Sequence, residues 1–187
     1  MTAANAGAAP PDHPLLPAPW SIRCDALADR LAEALRAGGW RLATAESCTG
    51  GLVAAVCTAR AGSSDWFERG WVTYSNAAKV ADLGVDAGLI AQHGAVSAEV
   101  AAAMATGCAR AAGVPLALAI TGIAGPGGGS ADKPVGTVWF GWSVFGAVDC
   151  ECRRWPGDRS AVRAASVEHA LAGLLSRLPA AGGRGGR

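Results

Sequence analysis

The sequence predicts a single α/β domain, a three-layer α/β/α sandwich around a mixed sheet. Two observations point there. Short apolar runs alternate with segments of helical periodicity along most of the chain. The last two runs, Val135 to Val144 and Val148 to Trp155, are joined only by Phe145-Gly146-Ala147, which reads as a hairpin and hence an antiparallel pair. Interleaving places helices on both faces of a sheet, and the hairpin makes that sheet mixed. At 187 residues, 51% hydrophobic and 17% charged, the chain suits one well-buried domain rather than a disordered one.

The elements follow in order. Residues 1–19 are Ala/Pro-rich and read as a flexible tail; they lack a basic n-region and an apolar h-region and are no secretory signal. Ser21 to Ala37 is helical, with Cys24, Leu27, Ala28, Leu31 and Leu35 at helical spacing and Gly38-Gly39 as the stop. Trp40 to Ala45 is a strand, and Leu52 to Arg60 a helix ended by Ala61-Gly62. Gly70 to Tyr74 is a short strand, Asn76 to Leu83 a short helix closed by Gly84, and Leu89 to Ala95 a turn or another short helix. Ser97 caps a helix running to Ala112, with Glu99 in its first turn. Leu116 to Ile120 is a buried strand, residues 122–129 a Gly-rich loop, and the hairpin follows. Asp158 caps a last helix with Val167, Leu171, Leu174, Leu175 and Leu178 on its apolar side. Residues 20–178 thus form the domain, and 179–187 a second Gly-rich tail.

Bulk properties exclude several functions. A net charge of +1 with no Lys/Arg cluster gives no electrostatic footprint for nucleic acid. No apolar run reaches the about 20 residues that span a bilayer, so a cytoplasmic protein with no membrane partner is expected. The 6 cysteines include no C-x-x-C pair and read as reduced structural residues, so no metal site is expected.

The run Thr44-Ala45-Glu46-Ser47-Cys48-Thr49-Gly50-Gly51 is the most informative segment. It sits between a strand and a helix, where backbone N–H groups and a helix dipole converge. Ser47 there can attack a carbonyl while N–H groups hold the oxyanion; the plainer reading is that Ser47 and Thr49 cap the helix. Cys48 is the rival nucleophile. Two other segments also end strands: Thr73-Tyr74-Ser75-Asn76, with Lys79 one turn on, and Thr121 to Ser130, with Lys133 beyond. Gly157-Asp158-Arg159 and Arg163 open the last helix. If the strands are parallel neighbours, their loops converge at the carboxyl ends, where α/β sheets bind ligands. The glycine loop can cradle a phosphate or merely turn; it is neither a Walker A loop nor a dinucleotide fingerprint. Lys79 can serve Ser47 as a base if burial lowers its pKa, or it can lie solvated on the surface. Lysine occurs only at 79 and 133, each within a motif. His93, in a turn, and His169, in mid-helix, read as structural.

Taken together, Ala45 to Gly51, Ala61-Gly62-Ser63-Ser64, Val72 to Lys79, His93 to Ser97, Thr121 to Pro126, Lys133 to Val138 and Gly157-Asp158-Arg159 resemble the CinA C-terminal domain family, in order and over roughly residues 25–178. The resemblance implies a nicotinamide-nucleotide amidohydrolase, which hydrolyses the carboxamide of nicotinamide mononucleotide (NMN) to nicotinate mononucleotide and ammonia. It implies a homo-oligomer that uses neither cofactor nor metal. It implies Ser47 as nucleophile, Tyr74 and Thr121 as further catalytic residues, and a substrate site drawn from Glu46, Thr49, Gly50, Gly51, Asn76, Gly122, Gly125, Gly128 and Ser130. Lys79, with Tyr74, is read as the base; N–H groups of Thr49 to Gly51 hold the oxyanion; Thr121 and the Gly125 to Ser130 loop hold the ribose phosphate. Two rivals stand beside this reading: a non-catalytic nucleotide-binding protein associated with competence or DNA damage, and an amidase for another amide.

Overall fold

The computed structural model describes residues 20–179. The tails expected at 1–19 and 179–187 lie, apart from Pro179, outside the described residues. The elements run α1 (Trp20–Gly38), β1 (Leu42–Glu46), α2 (Leu52–Thr58), a 3-10 turn (Ser63–Asp65), β2 (Phe67–Val72), α3 (Asn76–Leu83), α4 (Ala87–His93), α5 (Ala98–Ala112), β3 (Leu116–Gly122), β4 (Thr137–Val144), β5 (Ala147–Arg154) and α6 (Arg159–Arg177).

The five strands form one sheet in the order β2-β1-β3-β4-β5. β1 pairs in parallel with both β2 and β3, while β3–β4 and β4–β5 are antiparallel. The sheet is mixed for the predicted reason, since Phe145 and Gly146 alone separate β4 from β5. Both have positive φ, 50° and 86°, the left-handed backbone that two-residue hairpin turns need.

Alternation along the strands builds two cores. Leu42, Leu116, Leu118, Ile120, Val138, Phe140 and Trp142 face α1, α2 and α6, where Cys24, Leu31, Leu35, Val53, Val167 and Leu171 meet them. Ala43, Ala45, Ala117 and Ala119 face α3 to α5, against Leu83, Ile90, Val100, Met104 and Cys108. The second face is lined by small residues, so α5 lies close to the sheet. A Cβ at Gly141 would collide with the Ala101 carbonyl of α5. Helices on both faces make the three layers.

Four helices start where short polar residues accept from their first free N–H groups. Ser75 accepts from Ala78, Asp86 from Leu89, Ser97 from Val100 and Asp158 from Ala161. The strand expected at Gly70 to Tyr74 instead spans Phe67–Val72. It is an edge strand with Glu68 and Arg69 on it, so no apolar run marked its start. Leu89 to Ala95 resolves as helix α4, begun two residues earlier by the Asp86 cap.

Candidate active site

β1, β2 and β3 are parallel neighbours, so the three loops leaving their carboxyl ends meet on one side of the sheet. Ser47 is the first residue past β1. Its N–H donates to the Ile120 carbonyl at 2.9 Å, and its own carbonyl accepts from Gly50 at 3.0 Å. Gly50 and Gly51 hold φ of 61° and 91°, which lets the chain turn sharply into α2.

Lys79 comes to this turn from α3. Its Nζ donates to Ser47 Oγ at 3.2 Å and to the Thr73 carbonyl at 2.8 Å, with the Tyr74 carbonyl at 3.5 Å. It is only 1% exposed. Burial pushes its pKa below the usual 10.5, opposed only by the nearby Cys48 thiol. No carboxylate pairs with Lys79 among the described residues. A lysine held this way is biased toward its neutral form, the form that takes a hydroxyl proton.

Cys48 alternates away from Ser47 and packs into the core beside α1, α2 and α6. Burial pushes its thiol up to about 12, the opposite of an activated thiolate.

Glu46 is fully buried, and its carboxylate takes the place of a cap for α2. It accepts from Gly51 at 3.0 Å, Val53 at 3.1 Å and Ala54 at 2.9 Å. Burial raises its pKa, against the pull of those N–H groups. This corrects two expectations. The Gly50 and Gly51 N–H groups, expected to hold an oxyanion, are committed to the Ser47 carbonyl and to Glu46. Glu46, expected to line the substrate, faces the helix and plugs the positive end of its dipole. Among the described residues the Cys48 and Thr49 N–H groups have no backbone acceptor, and the Cys48 N–H lies against its own thiol.

The other expected residues divide. Thr121 is buried on the same side as Ser47, and its hydroxyl donates to the Ala95 carbonyl at 2.7 Å, tying β3 to the loop before α5. Tyr74 is 59% exposed, and its hydroxyl accepts from Arg159 Nη2 at 2.9 Å rather than meeting Ser47 or Lys79. Asn76 opens α3 and is exposed. Gly122 ends β3 where a Cβ would press on Val138. Gly125 and Gly128 have φ of 87° and 85° in the loop, and the Ser130 hydroxyl accepts from Lys133 N–H at 3.1 Å within it. Lys133 Nζ donates to the His93 carbonyl at 2.7 Å. His93 lies 3.3 Å from Glu99, and His169 bonds Glu151 at 3.1 Å among the rings of Phe140, Trp142 and Trp155. Neither histidine bonds Ser47 or Lys79 among the described residues.

Two arginines of α6 reach the same loops. Arg159 Nη1 donates to the Gly125 carbonyl at 2.9 Å, and Arg163 Nη2 to the Thr49 carbonyl at 3.0 Å. The sequence reading noted both without giving them work; their four-residue spacing, which puts them on one helix face, was the available signal. Among the described residues no group of three His, Cys, Asp or Glu is placed to hold a metal ion, and no helix is long and apolar enough to cross a membrane.

Fold and site together describe an α/β protein with a buried serine–lysine pair at the carboxyl ends of three parallel strands. The chain belongs to the CinA C-terminal domain family, which it matches over residues 24–178. It is 53% identical over 149 residues to nicotinamide-nucleotide amidohydrolase PncC of Pseudomonas putida, covering 80% of this chain and 93% of that one. It is 52% identical over 148 residues to the protein of that name from Escherichia coli K12, covering 78% of this chain and 88% of that one. Among solved structures, the competence/damage inducible protein CihA from Agrobacterium tumefaciens superposes with a TM-score of 0.81 at 41% identity, over 88% of this chain and 98% of that one.

Proposed function

We propose that this chain hydrolyses the carboxamide of NMN to nicotinate mononucleotide and ammonia, with Ser47 as nucleophile and Lys79 as base. It is an amidohydrolase, as are the relatives it matches over nearly their whole length. The observation that supports the mechanism most is the buried Lys79 Nζ at 3.2 Å from Ser47 Oγ. Neutral Lys79 takes the Ser47 proton as Oγ attacks the amide carbon. In this reading the Thr49 N–H, with that of Cys48 once it leaves its own thiol, holds the developing oxyanion, an interaction worth about 3–4 kcal/mol per donor in other enzymes. Lys79, now an ammonium, returns its proton to the amide nitrogen. The C–N bond breaks, ammonia leaves and the acyl group stays on Ser47. Lys79 then takes a proton from water, whose oxygen attacks the ester; nicotinate mononucleotide departs, and the proton returns to Ser47.

In this reading Thr121 and the loop from Gly125 to Ser130 hold the ribose phosphate. Within this reading the enzyme works in the cytoplasm as a homo-oligomer. Purified protein incubated with NMN is expected to give nicotinate mononucleotide and ammonia in equal amounts, and far less product from free nicotinamide. A folded protein that binds NMN and releases nothing would favour the sensor reading; better turnover of nicotinamide would make it an amidase for another substrate.

A further inference from the structure

Helix α6 serves more than the loops around Ser47. Arg159 and Arg163 turn toward those loops. Ala161 and Ala165, each two residues further on and so a little over half a turn round the helix, lie on another side. With Ala172 they line a groove of about 620 Å³, shared with Trp155 and Pro156 and with Arg23 of α1 and Glu168. Its walls are largely apolar. The polar groups among them already have partners: Arg23 Nε donates to Glu168 at 2.8 Å, and His169 bonds Glu151 at 3.1 Å. The carbonyls of α6 are used within the helix itself.

An occupant of such a groove must bring apolar side chains and few backbone donors, because the walls offer few acceptors in return. The chain carries a segment of that kind beside it. Pro14-Leu15-Leu16-Pro17-Ala18-Pro19 has no charged residue, and its three prolines carry no N–H. Pro14 and Pro17 have the PxxP spacing that suits the extended polyproline II form, which loses little entropy on docking. The segment runs straight into α1, which begins at Trp20, and Arg23 at the groove follows within one turn. Lengths agree as well. Ala161 to Ala172 spans about 16 Å of helix, and the six residues from Pro14 to Pro19 span about 19 Å as polyproline II. A tether this short holds the segment at the groove at a concentration on the order of millimolar. The segment lies before residues 24–178, the part of the chain matched to the family.

We propose that this groove is the docking site of the chain's own Pro14 to Pro19, laid extended against α6 beside the start of α1. Leu15 and Leu16 supply the apolar side chains that meet Trp155 and the alanine stripe, and the short alanines leave room for the proline rings. Docking covers the groove. It also ties the start of α6 to that of α1, two helices that otherwise meet through core residues such as Cys24 and Val167 and through the Arg23–Glu168 pair.

The test is a photo-crosslink in the full chain. Leu16→p-benzoylphenylalanine protein is irradiated at micromolar concentration, and the joined peptides are mapped by mass spectrometry. Crosslinks are expected to Trp155 and Pro156 or to α6 between Ala161 and Ala172, in a product of single-chain mass. Ala165→Glu, which sets a charge in the groove, is expected to lower that yield about tenfold or more, with circular dichroism checking that the fold is kept. Should that variant fail to fold, a second readout stands without it. Leu15→Asp/Leu16→Asp alters the segment alone and is expected to lower Tm by about 2–4 °C. Crosslinks into the groove of a second chain, seen at twice the mass, would overturn the proposal in favour of exchange between copies. Crosslinks scattered over the surface would also overturn it, as would a Tm unchanged by the paired leucine substitutions.

Discussion

In the proposed mechanism Lys79 is the residue on which the chemistry turns. A lysine in a core usually costs stability, because its charge loses water and finds no partner. Here its nitrogen meets a serine hydroxyl and a backbone carbonyl instead of a carboxylate. Its folded pKa lies below 10.5, so the unfolded chain binds that proton more tightly. Stability contributed by this group therefore rises as pH climbs from the folded value toward 10.5. Hydrolysis should rise over the lower part of the same course, as the base loses its proton. Lys79→Met is expected to lose at least about 10³-fold in kcat while remaining folded, and to lose the alkaline gain in stability. Rate profiles and urea midpoints measured across pH check both. Nothing in the run of residues around Lys79 distinguishes a solvated lysine from a buried one. What settled its position is the turn from Thr73 to Ser75, which aims the first turn of α3 at the end of β1.

At the scale of elements, the strand-to-helix turn after β1 depends on Glu46. α2 begins at a glycine with no side chain to cap it. The preceding strand supplies the cap from below, through three N–H bonds to one carboxylate. Helix α2 is thereby fixed to β1, and Ser47 lies between them. Removing the carboxylate leaves three inward-facing donors unsatisfied, each at about 1–3 kcal/mol. Glu46→Ala is expected to lose about 3 kcal/mol or more, seen as a fall in Tm of roughly 10 °C. An unchanged Tm would mean that water or a neighbour replaces the cap. Sequence reading placed these eight residues on the right turn but gave Glu46 to the substrate. A carboxylate at a strand end looks the same in sequence whether it faces a ligand or the following helix. Short hydroxyl and carboxylate caps were easier to read, so the bounds of α3 and α5 came out nearly right.

For the whole molecule, the order of apolar runs was enough to give the layers and the mixed sheet. It did not give the strand order, which places β1 between β2 and β3 and so makes the three loops converge. That pairing depends on contacts far apart in sequence. Likewise Arg159 and Arg163 reach the Gly125 and Thr49 carbonyls from the last helix, distant in sequence from the residues they touch. Among the described residues the sheet ends in two edge strands with no further strand beside them, β2 and β5, and Val72 and Val148 on them are 52% and 40% exposed. Open edges of this kind invite pairing with another chain. A homo-oligomer is expected, and light scattering checks it: a mass near 18.6 kDa at micromolar concentration would show a monomer.

Ammonia release from NMN by the wild-type protein and by Ser47→Ala, measured side by side, puts the serine–lysine chemistry to the most direct trial. Steady release by the wild type, lost in a variant that still binds NMN, is the expected result. Release that survives in the variant would contradict it and move the nucleophile away from Ser47.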